Sequence, residues 1–104
     1  MNVWPFKKQR TEEDSSSLLR VLERCRELVA NSENSDWSCM DVPDILESLD
    51  AGLNAVNAET RPDVDELTLL FLPTGPLQET SMSNGWTGEF LTLSSEFDAL
   101  IAKW

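Results

Sequence analysis

The sequence contains no histidine and no tyrosine. Without an imidazole, Ser-His-Asp and Cys-His nucleophile arrangements within one chain are excluded. The 4 glycines form neither a dinucleotide-binding fingerprint nor a Walker-type phosphate loop. Acid–base chemistry would have to use carboxylate, lysine, arginine or thiol groups. We therefore predict that the protein is not an enzyme and uses no cofactor.

Cysteine is also scarce, with Cys25 and Cys39 as the only examples. A closed zinc site needs four Cys or His ligands, so structural zinc would require carboxylates or a second subunit. In a reducing compartment two thiols are more often small buried hydrophobic residues than a disulfide. The acidic group Asp63-x-Asp65-Glu66 offers oxygen ligands, but it lacks the glycine turn and distal glutamate of a calcium-binding loop. We interpret it as a solvated charge run and predict no metal site.

Long hydrophobic runs are absent as well. The longest extends from Leu67 to Leu72, includes Thr68, and is closed by Pro73, whereas a membrane helix needs about 20 apolar residues. No transmembrane segment is expected. The basic residues of the first ten positions follow an aromatic pair and lead into acidic residues, unlike a secretory signal. The expected location is therefore the cytoplasm.

Positive charge is rare beyond the first third of the chain. From Glu27 onward there are 15 acidic residues against only Arg61 and Lys103. Such an excess of negative charge repels phosphate backbones and anionic lipid, so nucleic acid is not an expected partner. Acidity can also serve solubility alone. If the negative charge also serves recognition, it favours a basic protein as the partner.

At 104 residues the chain can build one hydrophobic core. Residues 1–10 contain Pro5 and no apolar periodicity, and are predicted to form a flexible arm. Its aromatic residues are Trp4 and Phe6. Their side chains would pack onto the domain, stay in solvent, or contact a membrane surface or a partner. Residues 11–104 are predicted to form a single globular α+β domain.

The first helix is predicted to begin near Thr11, because Thr11-x-x-Asp14 approximates a capping box. Its apolar residues recur at helical spacing and commit one face to a core. The residues of that face are Leu18, Leu22, Cys25 and Val29.

The second helix has the clearest start signal, with Asp41 as N-cap and Pro43 in the first turn. Trp37 and Met40 precede the cap and are expected to pack on the following turn. Its apolar positions have a period of 3.6 residues and are occupied by Ile45, Leu46, Leu49, Leu53 and Val56. Gly52 lies in the middle of the helix and costs about 1 kcal/mol relative to alanine unless close packing uses it. A partner element is expected to approach the backbone there.

The run from Leu67 to Leu72 is apolar on both sides when read with a period of two, and predicts a well-covered strand. Leu77 to Met82 is predicted to pair with it as a hairpin across the turn from Pro73 to Pro76. A last helix is predicted from about Thr87, although a short alternation around Phe90 also allows a third strand. The fold class is therefore α+β, with three helices on a small antiparallel sheet in the order α-α-β-β-α.

Two sets of polar residues are candidates for binding a partner. Acidic residues recur at roughly i,i+3 along the second helix and would form an outer ridge, which is either a solvated face or a docking surface for a basic protein. These residues are Asp41, Asp44, Glu47 and Asp50. Polar and aromatic residues of two later turns would form a recognition rim, unless Trp86 belongs to the core. This set comprises Gln78, Glu79, Asn84 and Trp86.

The functional hypothesis is a small acidic, non-catalytic protein that binds a basic partner. In size and charge alone the chain resembles the small acidic immunity proteins that neutralise cationic bacterial toxins, and this implies an immunity or inhibitor role. One alternative is an enzyme that uses paired carboxylates, with Glu79, Asp63 or Asp65 as candidates. Another is a homodimer held by apolar surface left over on Leu70, Leu72 and Trp104.

Overall fold

A computed structural model describes residues 11–104, and the predicted arm of residues 1–10 lies outside this range. The described part contains five helices and no strand. In chain order they are α1 (Glu12–Ala30), α2 (Val42–Asn57), α3 (Val64–Phe71), α4 (Pro76–Asn84) and α5 (Thr87–Ile101). The prediction of an α+β fold with an antiparallel sheet is therefore wrong.

The start of α1 is the predicted one. Thr11 is the N-cap, its hydroxyl accepts a hydrogen bond from the Asp14 amide at 3.1 Å, and the Asp14 carboxylate accepts one from the Thr11 amide at 2.9 Å. This reciprocal pair satisfies two amides that the first helical turn leaves without a backbone partner. The predicted apolar face is also confirmed. Its buried residues are Leu18, Leu22, Cys25 and Val29.

Helix α2 begins after Asp41 as expected, but the Asp41 side chain makes no capping hydrogen bond. The amide of Val42 instead donates to Asn34 Oδ1 at 2.7 Å, so the preceding loop supplies the cap. Gly52 is buried, and a Cβ at this position would lie 3.0 Å from Leu67 Cδ2 and 3.5 Å from Leu22 Cδ1. The predicted close approach is confirmed, with α3 and α1 as the approaching elements.

Helix α3 occupies the segment that we predicted as the first strand. Its buried residues Leu67, Leu70 and Phe71 have i,i+3,i+4 spacing, whereas Leu69 is 59% exposed. A strand would have placed Leu67, Leu69 and Phe71 on one side. Helical spacing thus buries three side chains in the core, where α3 packs on α2, α4 and α5. Asp63 begins the helix by accepting a hydrogen bond from the Glu66 amide at 3.0 Å.

Helix α4 occupies the predicted second strand. Pro76 stands in its first turn, a position where its missing amide costs nothing. Leu77, Thr80 and Ser81 are buried at i, i+3 and i+4, and Gly85 ends the helix in the left-handed conformation with φ of 82°. The Asn84-Gly85 pair thus marks the end of a helix.

Helix α5 confirms the predicted last helix and excludes the third strand, with Trp86 rather than Thr87 as its N-cap. Phe90, Leu93 and Phe97 are buried. The Phe97 ring stacks on Phe71 with centroids 4.0 Å apart and planes 9° from parallel. One core joins all five helices, and α1 lies at its centre, against α2 on one side and α5 on the other.

Both thiols are free. Cys25 is a buried core residue, as expected, and burial raises the pKa of its thiol to about 12. Cys39, by contrast, is exposed in the loop before α2. The expectation of two buried thiols is thus met only at Cys25.

Candidate functional site

The acidic ridge of α2 is present on the surface, but it is shorter than predicted. Asp41, Asp44 and Glu47 are exposed, and no hydrogen bond or ion pair of their carboxylates occurs within residues 11–104. Asp50 is different, because both of its oxygens accept hydrogen bonds from Arg26 on α1. The free ridge therefore consists of three residues, and Asp50 serves the α1–α2 contact.

Trp37 stands in the loop that leads to this ridge and is 81% exposed, more than any other large hydrophobic residue in the described range. The expectation that it packs on α2 is wrong, although Met40 does pack against the core. The loop itself is tied down, because the Trp37 amide donates to Ser35 Oγ at 3.2 Å and Asn34 caps α2. The hydrogen-bonded loop thus presents a bare indole four residues before the first carboxylate of the acidic ridge.

Asn84 and Trp86, two residues of the predicted rim, are used inside the fold. Asn84 Oδ1 accepts from the Glu33 amide at 2.9 Å, and its Nδ2 donates to the Glu33 carbonyl at 2.9 Å. Trp86 packs against the core and its Nε1 donates to Ser32 Oγ at 2.9 Å. Both residues hold the α1–α2 loop against the junction of α4 and α5. Their part in the candidate site is therefore to position the loop that carries Trp37.

The two other rim residues are half-buried on α4. Gln78 Oε1 accepts a hydrogen bond from the Thr74 amide at 2.6 Å and so stabilises the turn between α3 and α4. Thr74 has a φ of 58°, an unusual value for a β-branched residue, and this bond helps to hold it. Glu79 makes no such contact with the turn. The four rim residues therefore do not form one recognition surface.

Comparison with family models, with curated proteins and with solved structures gave no match. Function is therefore inferred from the residues of this chain alone. Within residues 11–104 no helix is both long and apolar enough to cross a membrane.

The acidic residues proposed for catalysis or metal binding have structural contacts or stand apart. Asp63 caps α3, and Glu66 Oε2 accepts a hydrogen bond from Ser48 Oγ at 2.9 Å. Asp63, Asp65 and Glu79 do not line any of four prominent surface grooves on the described part of the chain. No group of three or more metal-ligating side chains occurs in this range.

Two of the three arginines of α1 form ion pairs with neighbouring helices. Arg24 donates to both oxygens of Glu89 on α5, with Nη2 2.9 Å from Oε1, and also donates to Glu27. The guanidinium group of Arg24 lowers the pKa of Glu89 below its usual value. Arg24 and Arg26 thus pair with acidic residues of α5 and α2, whereas Arg20 donates to the Ser17 hydroxyl.

The sequence contained a signal for Trp37 that we did not use. Trp37 follows the stretch from Asn31 to Asp36, which has no apolar residue that could cover the indole. An indole without apolar neighbours along the chain is expected at the surface unless the fold brings core residues to it. Asn84 and Ser32 gave no such signal, because they bond to residues 51 and 54 positions away.

Proposed function

We propose that this protein is a non-catalytic binding protein that engages a basic protein partner through the loop carrying Trp37 and the ridge of Asp41, Asp44 and Glu47. The observation that supports the proposal best is the position of an 81% exposed tryptophan four residues before three free carboxylates. Tryptophan is a frequent centre of binding energy in interfaces, since it buries a large area and keeps one hydrogen-bond donor. A cationic group of the partner would find both an aromatic face and carboxylates here.

Electrostatics give this surface a second role. Residues 27–60 contain no lysine or arginine, and the ridge is therefore not screened by cations of its own segment. A surface of one sign steers an oppositely charged partner and raises the association rate, which falls as salt increases. Size and net charge fit an immunity-type or inhibitory protein that neutralises a cationic partner in the cytoplasm.

The test compares capture of partners by three forms of the protein. The first is the natural sequence, the second carries the ridge substitutions Asp41→Asn, Asp44→Asn and Glu47→Gln, and the third carries Glu13→Gln, Glu23→Gln and Glu96→Gln. The third form loses the same charge at exposed positions away from the ridge. Proteins captured from the native host are identified by mass spectrometry, and the association rate of the identified partner is then measured at several salt concentrations.

We expect a basic protein that binds the natural and control forms and associates with the ridge variant about tenfold more slowly at low salt. Trp37→Ala should mainly increase its dissociation rate, by about tenfold or more. If the ridge and control variants lose binding equally, only net charge matters and the proposed site is wrong. Conversion of a substrate that stops on replacing one acidic side chain would favour the catalytic alternative.

A further inference from the structure

A second surface of the molecule is apolar, and the acidic ridge does not account for it. Five large hydrophobic residues are exposed in the described range, and all except Trp37 belong to the segment from α3 to α5. These four are Leu69 (59% exposed), Leu72 (42%), Met82 (58%) and Leu91 (55%). Exposed apolar side chains are common singly, but a group on neighbouring helices indicates a contact surface.

Two of the four line a groove between the end of α3 and α5, which we name the α3–α5 groove. Leu72 and Leu91 form its walls, Phe71 and Phe90 contribute to its apolar lining, and its volume is about 270 Å³. Gln78 of α4 also lines it, and Met82 stands one helical turn further along that helix. Leu69 similarly stands one turn before Leu72.

The groove is held in shape by contacts beneath and beside it. Phe71 stacks on the fully buried Phe97. At one end, Gln78 fixes the turn at Thr74, and Gly75 packs so closely that a Cβ would lie 2.8 Å from the Leu72 carbonyl oxygen. A site formed in advance loses less entropy when it is filled.

The charge of the groove selects its occupant. Asp98 lines it, and no lysine or arginine does. The whole segment of residues 62–102 contains 7 acidic residues and no basic one. A second copy of this chain would therefore bring like charge to the contact. An occupant with cationic groups beside its apolar side chains can place the apolar side chains on Leu72 and Leu91 and a cationic group near the Asp98 carboxylate.

We propose that the α3–α5 groove binds an amphipathic helix that carries lysine or arginine along the edges of its apolar face. Leu91, Ser94 and Asp98 line the groove at i, i+3 and i+7, which corresponds to about two helical turns, or about 10 Å. This length suits the apolar anchors of a docked helix, which recur at the same spacings. The groove is separate from the ridge and does not depend on the function proposed for it.

The test uses two synthetic peptides of about 14 residues that contain only leucine and lysine in equal numbers. One has the leucines at helical spacing, and the other has the same composition in an order without an apolar face. Binding to the full chain is measured by calorimetry at about 0.15 M salt, where exposed charges are screened beyond about 8 Å. Chemical-shift changes of the backbone amides locate the peptide.

We expect the amphipathic peptide to bind at least tenfold more tightly than its isomer and to shift amides around Leu72 and Leu91. Leu91→Ser should weaken it at least tenfold, and Thr92→Ser, at an exposed position of the same helix outside the groove lining, should not. Circular dichroism checks that both variants remain folded. Equal affinity for the two peptides, or equal loss in the two variants, would overturn the proposal. So would a dimer of the natural chain that Leu91→Ser dissociates.

Discussion

The ammonium group of Lys103 donates a hydrogen bond to Asp14 Oδ1 at 3.0 Å, and this joins the end of the chain to the capping box of α1. Asp14 is thus held from two sides, by the Thr11 amide and by Lys103. These two contacts lower the pKa of Asp14, the Thr11 amide more than Lys103. The first and last helices are therefore joined through one carboxylate.

This relationship predicts a loss of stability in acid. Because the folded-state pKa of Asp14 lies below the unfolded value, its contribution is complete above the ordinary pKa of 3.8 and disappears as the pH falls through the lower folded value. Asp14→Asn should reduce stability at neutral pH and flatten its decline in acid. Urea unfolding between about pH 6 and pH 2 measures this. Asp44→Asn, at an exposed and unbonded position, is the control, and equal acid profiles for both variants would contradict the prediction.

The glycines predict three different responses to alanine. At Gly52 the new Cβ would meet the mobile end of Leu67 at 3.0 Å, so overpacking and the gain of about 1 kcal/mol in helix propensity nearly cancel. At Gly75 the new Cβ would lie 2.8 Å from the Leu72 carbonyl oxygen. Because backbone atoms cannot move aside as a flexible side chain can, we expect Gly75→Ala to lower the free energy of unfolding by about 1 to 3 kcal/mol.

Gly88 is the matched control for these two substitutions, since it lies in α5 and nothing stands within 4 Å of its Cβ position. Gly88→Ala should stabilise the protein by up to about 1 kcal/mol. Denaturant midpoints give the order Gly88→Ala, Gly52→Ala, Gly75→Ala, from most to least stable. Any other order would mean that the packing around α2 or the α3–α4 turn differs from the one described.

Leucines 69 and 70 distinguish the helix from the strand that we first predicted. Leu70 is 1% exposed and Leu69 is 59% exposed. Leu70→Ala should therefore cost about 2 to 5 kcal/mol, and Leu69→Ala no more than about 0.5 kcal/mol. The free energy of unfolding of each variant decides the matter. Large losses at both positions would instead agree with the strand covered on both faces.

The two thiols should react at very different rates. Cys39 is exposed, whereas Cys25 is buried and has a pKa raised to about 12. Since the thiolate is the reactive form, a disulfide reagent at about pH 8 should modify one thiol quickly and the other only on unfolding. Cys39→Ser should remove the fast phase. Two fast phases in the folded protein would show that Cys25 is not in the core.

The dimer hypothesis changes with these positions. Leu70 is buried and cannot contribute to a contact, Leu72 remains exposed, and Trp104 packs partly against the core. Of the three residues named in that hypothesis, Leu72 belongs to the group of exposed apolar residues within residues 11–104. Leu69 and Met82 were not foreseen in this group because both had been assigned to strands, and Leu91 had not been assigned to any surface.

Helices α1, α2 and α5 could be predicted because each carries a long apolar period, and α1 and α2 begin with recognisable cap residues. The short helices α3 and α4 could not be distinguished from strands by periodicity, since six apolar or mixed residues satisfy both spacings. Two local signals did favour helices, namely Asp63 three residues before Glu66 and Pro76 at a first helical turn. We had interpreted the first as part of a solvated charge run and the second as the end of a turn before an edge strand.

The sequence by itself determined the excess of negative charge, the absence of imidazole chemistry and the three amphipathic helices, because composition and periodicity are local properties. Only the tertiary structure decided which polar residues are free. Partners 24 to 54 positions away form hydrogen bonds with Asp50, Asn84 and Trp86. By contrast, Trp37 and the start of the α2 ridge are exposed to solvent. Whether a side chain can bind another molecule depends on what the fold has already placed beside it, and that placement is not local.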